Sequence, residues 1–383
     1  MLATATLSAL GLAAWHHAGW PLLLRHAARS VPAAPAPLAE AALPLVTVVM
    51  PAHNEAAFIA AKLRNLAALD YPREKLRVVV ACDGCTDATV ALAREALAGL
   101  DLHAEIRDLS PNRGKLAVLN ETIAAIPEGI VALSDVSAML PADALRLATA
   151  HFADAKLGAV GGTYLLSRPG SAGEATYWRY QVAVKRGEAA LGAPLGLHGA
   201  FWCFRRQAWQ PLEADTINDD FILPLRLHLA GWRLAYDERI RVVEAEVSDP
   251  ALEARRRRRI AAGNAQQLWR LRALLHPRQG GVALAFASGK ALRVVMPFLL
   301  GFAVLGSFLL APASGFFAVL AACEALGLAL AALGAFCGAA APKPLAVLRY
   351  LASGHLASAL GVARYLLLRP SQPWRRAMTP AAA

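Results

Sequence analysis

The sequence predicts an α/β catalytic domain carried on membrane helices, and three observations lead there. From Leu45 to about Tyr236, apolar Val-rich runs alternate with helical patterns, as in a mostly parallel sheet covered by helices. Aspartates close several of these segments, at Asp83, Asp135 and the pair Asp219-Asp220. The chain is also 57% hydrophobic over 383 residues, more apolar than an ordinary soluble domain.

The N-terminal run from Met1 to Leu24 is apolar, carries no Lys or Arg, and is followed by Arg25, His26 and Arg29. A cleaved signal peptide begins with positive charge, so residues 1–24 read as an uncleaved anchor. Its basic C-terminal flank puts the N-terminus outside and the following domain in the cytoplasm. Residues 25–44, Ala- and Pro-rich from Pro32 to Pro44, read as a linker.

Within 45–277, strands are expected at 45–50, 77–81, 103–109, 130–134, 159–164, 201–205 and 233–236. Helices are expected at 56–69, 88–100, 115–126, 174–187 and 220–230. Beyond it, 278–383 reads as a membrane region, because Val294 to Ala341 holds no Lys or Arg and a single acid, Glu324. That length suits two helices, at about 291–311 and 316–338, with Pro312-Ala313-Ser314-Gly315 as the turn. A third, 345–368, carries Arg349, His355 and Arg364, and either spans or lies along the interface. The expected location is the inner (cytoplasmic) membrane, multi-pass, with the catalytic domain facing the cytoplasm.

The net charge of +11 gathers at Arg255 to Arg259 and beside the apolar runs, so membrane surface and phosphate ligands account for it. No nucleic-acid-binding motif accompanies it. Five cysteines without framework spacing suggest a reducing compartment. Cys82-x-x-Cys85 lacks a second pair at zinc spacing and reads as a small buried residue and a turn residue.

Each motif carries a structural reading beside a chemical one. Pro51-Ala52-His53-Asn54-Glu55 follows the first strand where a dinucleotide fold would place glycines. It either caps a helix or holds a base and ribose edge. Asp83-Gly84 offers a carboxylate for a pyrimidine N–H or ribose hydroxyl, with close backbone approach at the glycine. Gly114-Lys115 opens a helix and suits a diphosphate. Asp135 ends an apolar strand, with Ser137 two residues on; a divalent ion that keeps its waters needs only one or two carboxylates. Asp219-Asp220 either complements a helix dipole or supplies a general base, and its place after Asp83 and Asp135 favours the base. Arg255 to Arg259 read as a solvated or lipid-facing run from which one or two arginines reach a diphosphate.

In this order the segments resemble the family 2 glycosyltransferases, the membrane-embedded relatives of cellulose, hyaluronan, chitin and poly-N-acetylglucosamine synthases. The resemblance covers roughly Leu45 to Pro277. It implies a GT-A fold, a Rossmann-like mostly parallel sheet with flanking helices, plus transmembrane helices. It also implies an inverting hexosyl transfer from a nucleotide sugar, typically UDP-linked, with Mg²⁺ or Mn²⁺. Carried over by position, Pro51, Ala52, Asn54, Glu55 and Asp83 surround the nucleotide, Lys115 nears the diphosphate, and Asp135 binds the metal with Ser137 in place of a second acid. Asp219 and Asp220 match the catalytic pair, with Asp220 as the base. Gly199 and Arg205 border the acceptor. Where processive members carry Gln-x-x-Arg-Trp, this chain has Arg256 to Arg259 and Ile260, so the aromatic platform for a growing polymer is missing.

The expected partners are a nucleotide-sugar donor, a lipid-linked or membrane-associated glycan acceptor, the membrane, and a protein for export or assembly; nucleic acid is not among them. The expected setting is cell-envelope or exopolysaccharide biosynthesis. Two alternatives make different predictions. A processive synthase extrudes a long product, and a non-catalytic sensor binds a nucleotide sugar without turnover. His198, Trp202 and Trp178 are the expected pocket walls.

Overall fold

The computed structural model describes residues 1–167, 172–246 and 250–368, with side chains throughout except in 172–179, 250–258 and at Ala339 and Leu368. The chain divides into two compact units; among described residues one holds 27–246 and the other 1–26 with 250–368. The arginine run thus falls in the membrane-helix unit, although the sequence reading placed it in the catalytic domain.

The catalytic unit is built on eight strands: β1 Val46–Ala52, β2 Leu76–Asp83, β3 Ala104–Leu109, β4 Ile130–Ser134, β5 Ala138–Met139, β6 Leu157–Leu166, β7 Phe201–Arg205 and β8 Arg233–Glu244. They form one sheet in the order β3-β2-β1-β4-β7-β6-β8-β5. The first four are parallel, as is the pair β6 and β8. β7 runs antiparallel to both neighbours, and β5 antiparallel to β8. Val46, Val48, Val49 and Met50 are fully buried, as continuous apolar runs require when helices cover both faces. Strand order reverses between β1 and β4, which opens a crevice at their carboxyl ends.

The helices Ile59–Ala67, Thr89–Ala98 and Lys115–Ala124 follow β1, β2 and β3, and Asp219–Leu229 precedes β8. The two-residue β5, the helix Ala144–Ala150 and the half of β8 beyond Tyr236 have no counterpart among the expected elements. That half of β8 is rich in charge, yet Ile240 and Val242 are buried and Asp237 is only 3% exposed. His151 Nε2 lies 2.8 Å from Asp237 Oδ2, and Arg239 donates to both carboxylate oxygens.

In the other unit the helix Leu2–Ala14 continues through a π-helical stretch, Trp15–Gly19, into Trp20–Ala27. Gly281–Ala313, Gly315–Phe336 and Lys343–Leu367 are each long and apolar enough to cross a membrane. The helix Pro250–Arg270 carries Arg255 to Arg259.

Burial works against the Asp237 charge, but the hydrogen bonds from His151 and Arg239 outweigh it and hold the carboxyl well below its usual range. The folded-state pKa is therefore depressed. Its stabilisation is present above the unfolded-state pKa, about 4, and is lost as pH falls toward the folded value. Asp237→Ala removes the acceptor shared by His151 and the part-exposed Arg239 and is expected to cost about 1–3 kcal/mol in chemical denaturation at pH 7. The deficit relative to wild type should shrink as the titration is repeated at progressively lower pH.

Candidate active site

The nucleotide-side loops are stitched together by side chains that the sequence reading had offered to a ligand. Asn54 has φ +55°, a left-handed conformation that asparagine tolerates. Its side chain exchanges hydrogen bonds with Thr86, accepting from the Thr86 N–H at 2.8 Å. Asp87 accepts from the Ala56 N–H and the Thr89 N–H, and Thr89 Oγ1 accepts from the Glu55 N–H. The loops after β1 and β2 thereby form one rim.

Asp83 is 4% exposed, and each carboxylate oxygen accepts a backbone N–H at 2.7 Å, one from Arg113 and one from Gly114. His53 Nδ1 lies 2.7 Å from the Asp83 carbonyl, and Asn112 donates to the same oxygen at 3.0 Å. Asp83 thus shapes the loop that leads into helix Lys115–Ala124, and the amides of 113 and 114 point at it. Gly84 has φ +60°, and a Cβ there would stand 2.5 Å from the Asn112 nitrogen, so only glycine lets this loop close. His53 and Asn112 lie within the motifs read from the sequence, but their contacts with the Asp83 carbonyl were not foreseen there.

Lys115, first residue of its helix, is the group that reaches the cleft. Its Nζ lies 3.4 Å from Asp135 Oδ1 and 3.5 Å from Asp219 Oδ2. Burial disfavours the ammonium, but Asp135, Asp219 and Asp220 outweigh it and hold the pKa above the usual lysine range. Pro51, Leu119, Leu133, Ser134, Gly199 and Trp202 complete the cleft wall around Lys115, Asp135 and Asp219.

Asp220 stands beside Asp219 in the first turn of helix Asp219–Leu229. Its Oδ2 accepts from the Gly199 N–H at 3.2 Å, and its carbonyl accepts from the Leu197 N–H at 2.9 Å. A Cβ at Gly199 would lie 3.3 Å from Asp220 Oδ2, so a larger residue crowds that carboxylate. The loop is fixed from behind by the buried Glu188, which accepts from the Leu195 N–H at 2.9 Å and from Lys185 Nζ at 3.1 Å. Lys185 also donates to the carbonyls of Leu195 and Gly196. His198 stacks on Tyr164 at 3.8 Å.

The other predicted site residues fall differently. Arg205 is a correction: it pairs with Ile130 at the opposite end of β4 from Ser134, and its guanidinium donates to the carbonyls of Phe152, Asp154 and Leu157. Sequence order alone does not say which end of a strand a residue occupies. Arg259 and Ile260 are half-buried in the other unit, and the side chains of Arg256 and Trp178 lie outside those described. Ser137 is 7% exposed, on the turn between Asp135 and β5.

The residues present fit a divalent ion of modest protein ligation. Asp135 is 41% exposed toward the cleft. Among the described residues no three His, Cys, Asp or Glu side chains gather as a metal cage. Such a donor set suits an ion that draws its remaining ligands from water and phosphate oxygens.

Fold and cleft together define a membrane-associated α/β group-transfer enzyme. The chain belongs to the glycosyltransferase like family 2, whose model matches residues 44–263, and it is a glycosyltransferase of GT-A fold. It is 29% identical over 200 residues to a poly-beta-1,6-N-acetyl-D-glucosamine synthase of Staphylococcus aureus (strain COL), covering 50% of this chain and 48% of that protein. It is 29% identical over 201 residues to a beta-monoglucosyldiacylglycerol synthase of Nostoc sp., covering 50% and 43%. The chain spans about half the length of these curated relatives. The mannosyltransferase PcManGT of Pyrobaculum calidifontis, solved with GDP-Man and Mn²⁺, superposes with a TM-score of 0.72 at 26% identity, over 95% of this chain and 99% of that one.

Asp83→Asn replaces one acceptor oxygen by an N–H₂ that faces a backbone donor. The loss of one hydrogen bond and the forced donor contact should cost about 1–3 kcal/mol. Thermal unfolding reads this as a drop of several degrees, and calorimetry should show weaker nucleoside diphosphate binding.

Proposed function

We propose that the protein transfers single glycosyl residues, with inversion, from a nucleoside-diphosphate sugar to a hydroxyl of a membrane-held acceptor at the cytoplasmic face of the inner membrane. The observation that carries this reading is the cleft at the carboxyl ends of β1 and β4, where Lys115 stands between Asp135 and Asp219 while Gly199 holds Asp220. Asp220 takes the proton of the acceptor hydroxyl, whose oxygen attacks the anomeric carbon. The bond from that carbon to the diphosphate oxygen breaks, and the diphosphate leaves with the electron pair. The Lys115 ammonium faces the charge that develops there. Asp135 would hold Mg²⁺ or Mn²⁺, which when bound supplies further neutralisation of the diphosphate.

The Mn²⁺ and GDP-Man of PcManGT support both the metal and a nucleotide-sugar donor, and they put GDP-mannose beside UDP-sugars among donors to test. The Nostoc relative, named for a glycolipid product, supports a lipid-borne acceptor. Ile260, standing where processive members carry tryptophan, favours single transfer over polymerisation. The helix Lys343–Leu368 supports an interfacial placement: Leu345 lies against Gly334 and Val362 packs with Val294, so its two ends meet the open end of the hairpin formed by Gly281–Ala313 and Gly315–Phe336. The setting is cell-envelope or exopolysaccharide biosynthesis.

Purified protein with UDP-, GDP- and dTDP-sugars, a lipid extract and Mn²⁺ should release nucleoside diphosphate. Asp220→Asn should lower kcat by about 10²–10⁴-fold with donor KM little changed. Full turnover in that variant would exclude Asp220 as the base, and donor binding without turnover in wild type would favour a sensor.

A further inference from the structure

Lys62 is the most deeply buried charge of the catalytic unit and has no part in the chemistry above. It lies on helix Ile59–Ala67 with 0% exposure, beneath the turn that carries Asp135. Its Nζ donates to Ser134 Oγ at 2.7 Å and to the carbonyl of Ala138, so one ammonium closes both ends of the 134–138 turn. An apolar side chain of this length would fill the space without desolvating a charge, so the lysine is held here against its own solvation. Burial pushes it down to about 7, while the Asp135 and Glu244 carboxylates work in the opposite direction.

In its ammonium form Lys62 has donors only, which sets the sense of the hydrogen bonds in that state. Ser134 Oγ accepts from Lys62, which leaves its own proton to be shared between the carbonyls of Ala200, 3.2 Å away, and Asp135, 3.4 Å away. The Ala200 carbonyl also accepts the Asp135 N–H at 3.1 Å. Ala200 follows Gly199, whose N–H holds Asp220 Oδ2. The turn bearing Asp135 and the turn aiming Asp220 are thereby joined through Ser134 and Ala200, with Lys62 at the root.

We propose that Lys62 is a positioning residue for glycosyl transfer, its buried ammonium fixing the Asp135 turn and, through Ser134 and the Ala200 carbonyl, the Gly199 turn, so that Asp135 and Asp220 keep one spacing. The inference rests on the roles given to those two aspartates under the proposed function.

The test uses the full chain in detergent with Lys62→Met, Ser134→Ala and the double variant, followed by hydrogen–deuterium exchange and by nucleoside diphosphate release. Lys62→Met should speed exchange both in 134–138 and in 198–201, and should lower kcat on the order of 10²-fold with donor KM near wild type. Ser134→Ala should reproduce the faster exchange at 198–201, and the double variant should be no worse than Lys62→Met, because the two residues act in one chain. Wild-type exchange at 198–201 in Ser134→Ala, or a kcat within about twofold of wild type, would overturn the proposal, and that variant decides the matter if Lys62→Met does not fold. A wild-type protein silent with every donor would instead count against the transferase reading, while the exchange arms still test the link.

Discussion

Carboxylates that converge on one cleft repel each other unless a cation stands among them, and Lys115 is that cation. Asp135 reaches it from the end of β4, and Asp219 from the start of a helix more than eighty residues later in the chain. The ammonium is held charged by the same acids whose mutual repulsion it relieves. This balance allows a group suited to a metal and a group suited to take a proton to share one small space. The loop into Lys115 is in turn shaped by Asp83, whose two oxygens accept the amides of 113 and 114.

The sheet decides which residues meet. Parallel β1 and β4 end at the same edge, so Pro51 and Asp135 are neighbours although eighty-four positions separate them. Antiparallel β7 begins where β4 ends, with Phe201 opposite Ser134, so the loop before β7 brings Gly199 and Ala200 to the same edge. An all-parallel arrangement would have carried that loop to the far side. The mixed half of the sheet is therefore what places the segment beside Asp220 in the cleft.

Much of this was legible in the residues. The runs at Leu45 to Met50 and Ile130 to Ser134 are apolar on both faces, which marks buried parallel strands, and each is followed by the polar motif that faces the crevice. The outer half of β8 was not legible, because Asp237, Glu238, Arg239 and Arg241 hide the buried Ile240 and Val242 in a charged stretch. Arg205 was misplaced because a basic residue at a strand end serves ligands at one end and helix carbonyls at the other. Lys62 was invisible: two positions from the exposed Arg64, a lysine on a helix reads as one more solvated side chain. Asp83 and Asn54 were singled out in the sequence, but not the backbone amides and the threonine they hold, since those partners come from loops brought together only by the sheet.

The loop from Leu195 to Gly199 is pinned by Lys185 and Glu188, and Gly199 holds Asp220. A base aligned by the protein's own backbone is as ready for water as for a sugar hydroxyl. On the proposed mechanism, chemical competence does not distinguish productive transfer from wasteful hydrolysis of the donor. On that proposal the choice passes to exclusion: a membrane-held acceptor that occupies the cleft before solvent does protects the donor, and the anchor would serve fidelity as well as address.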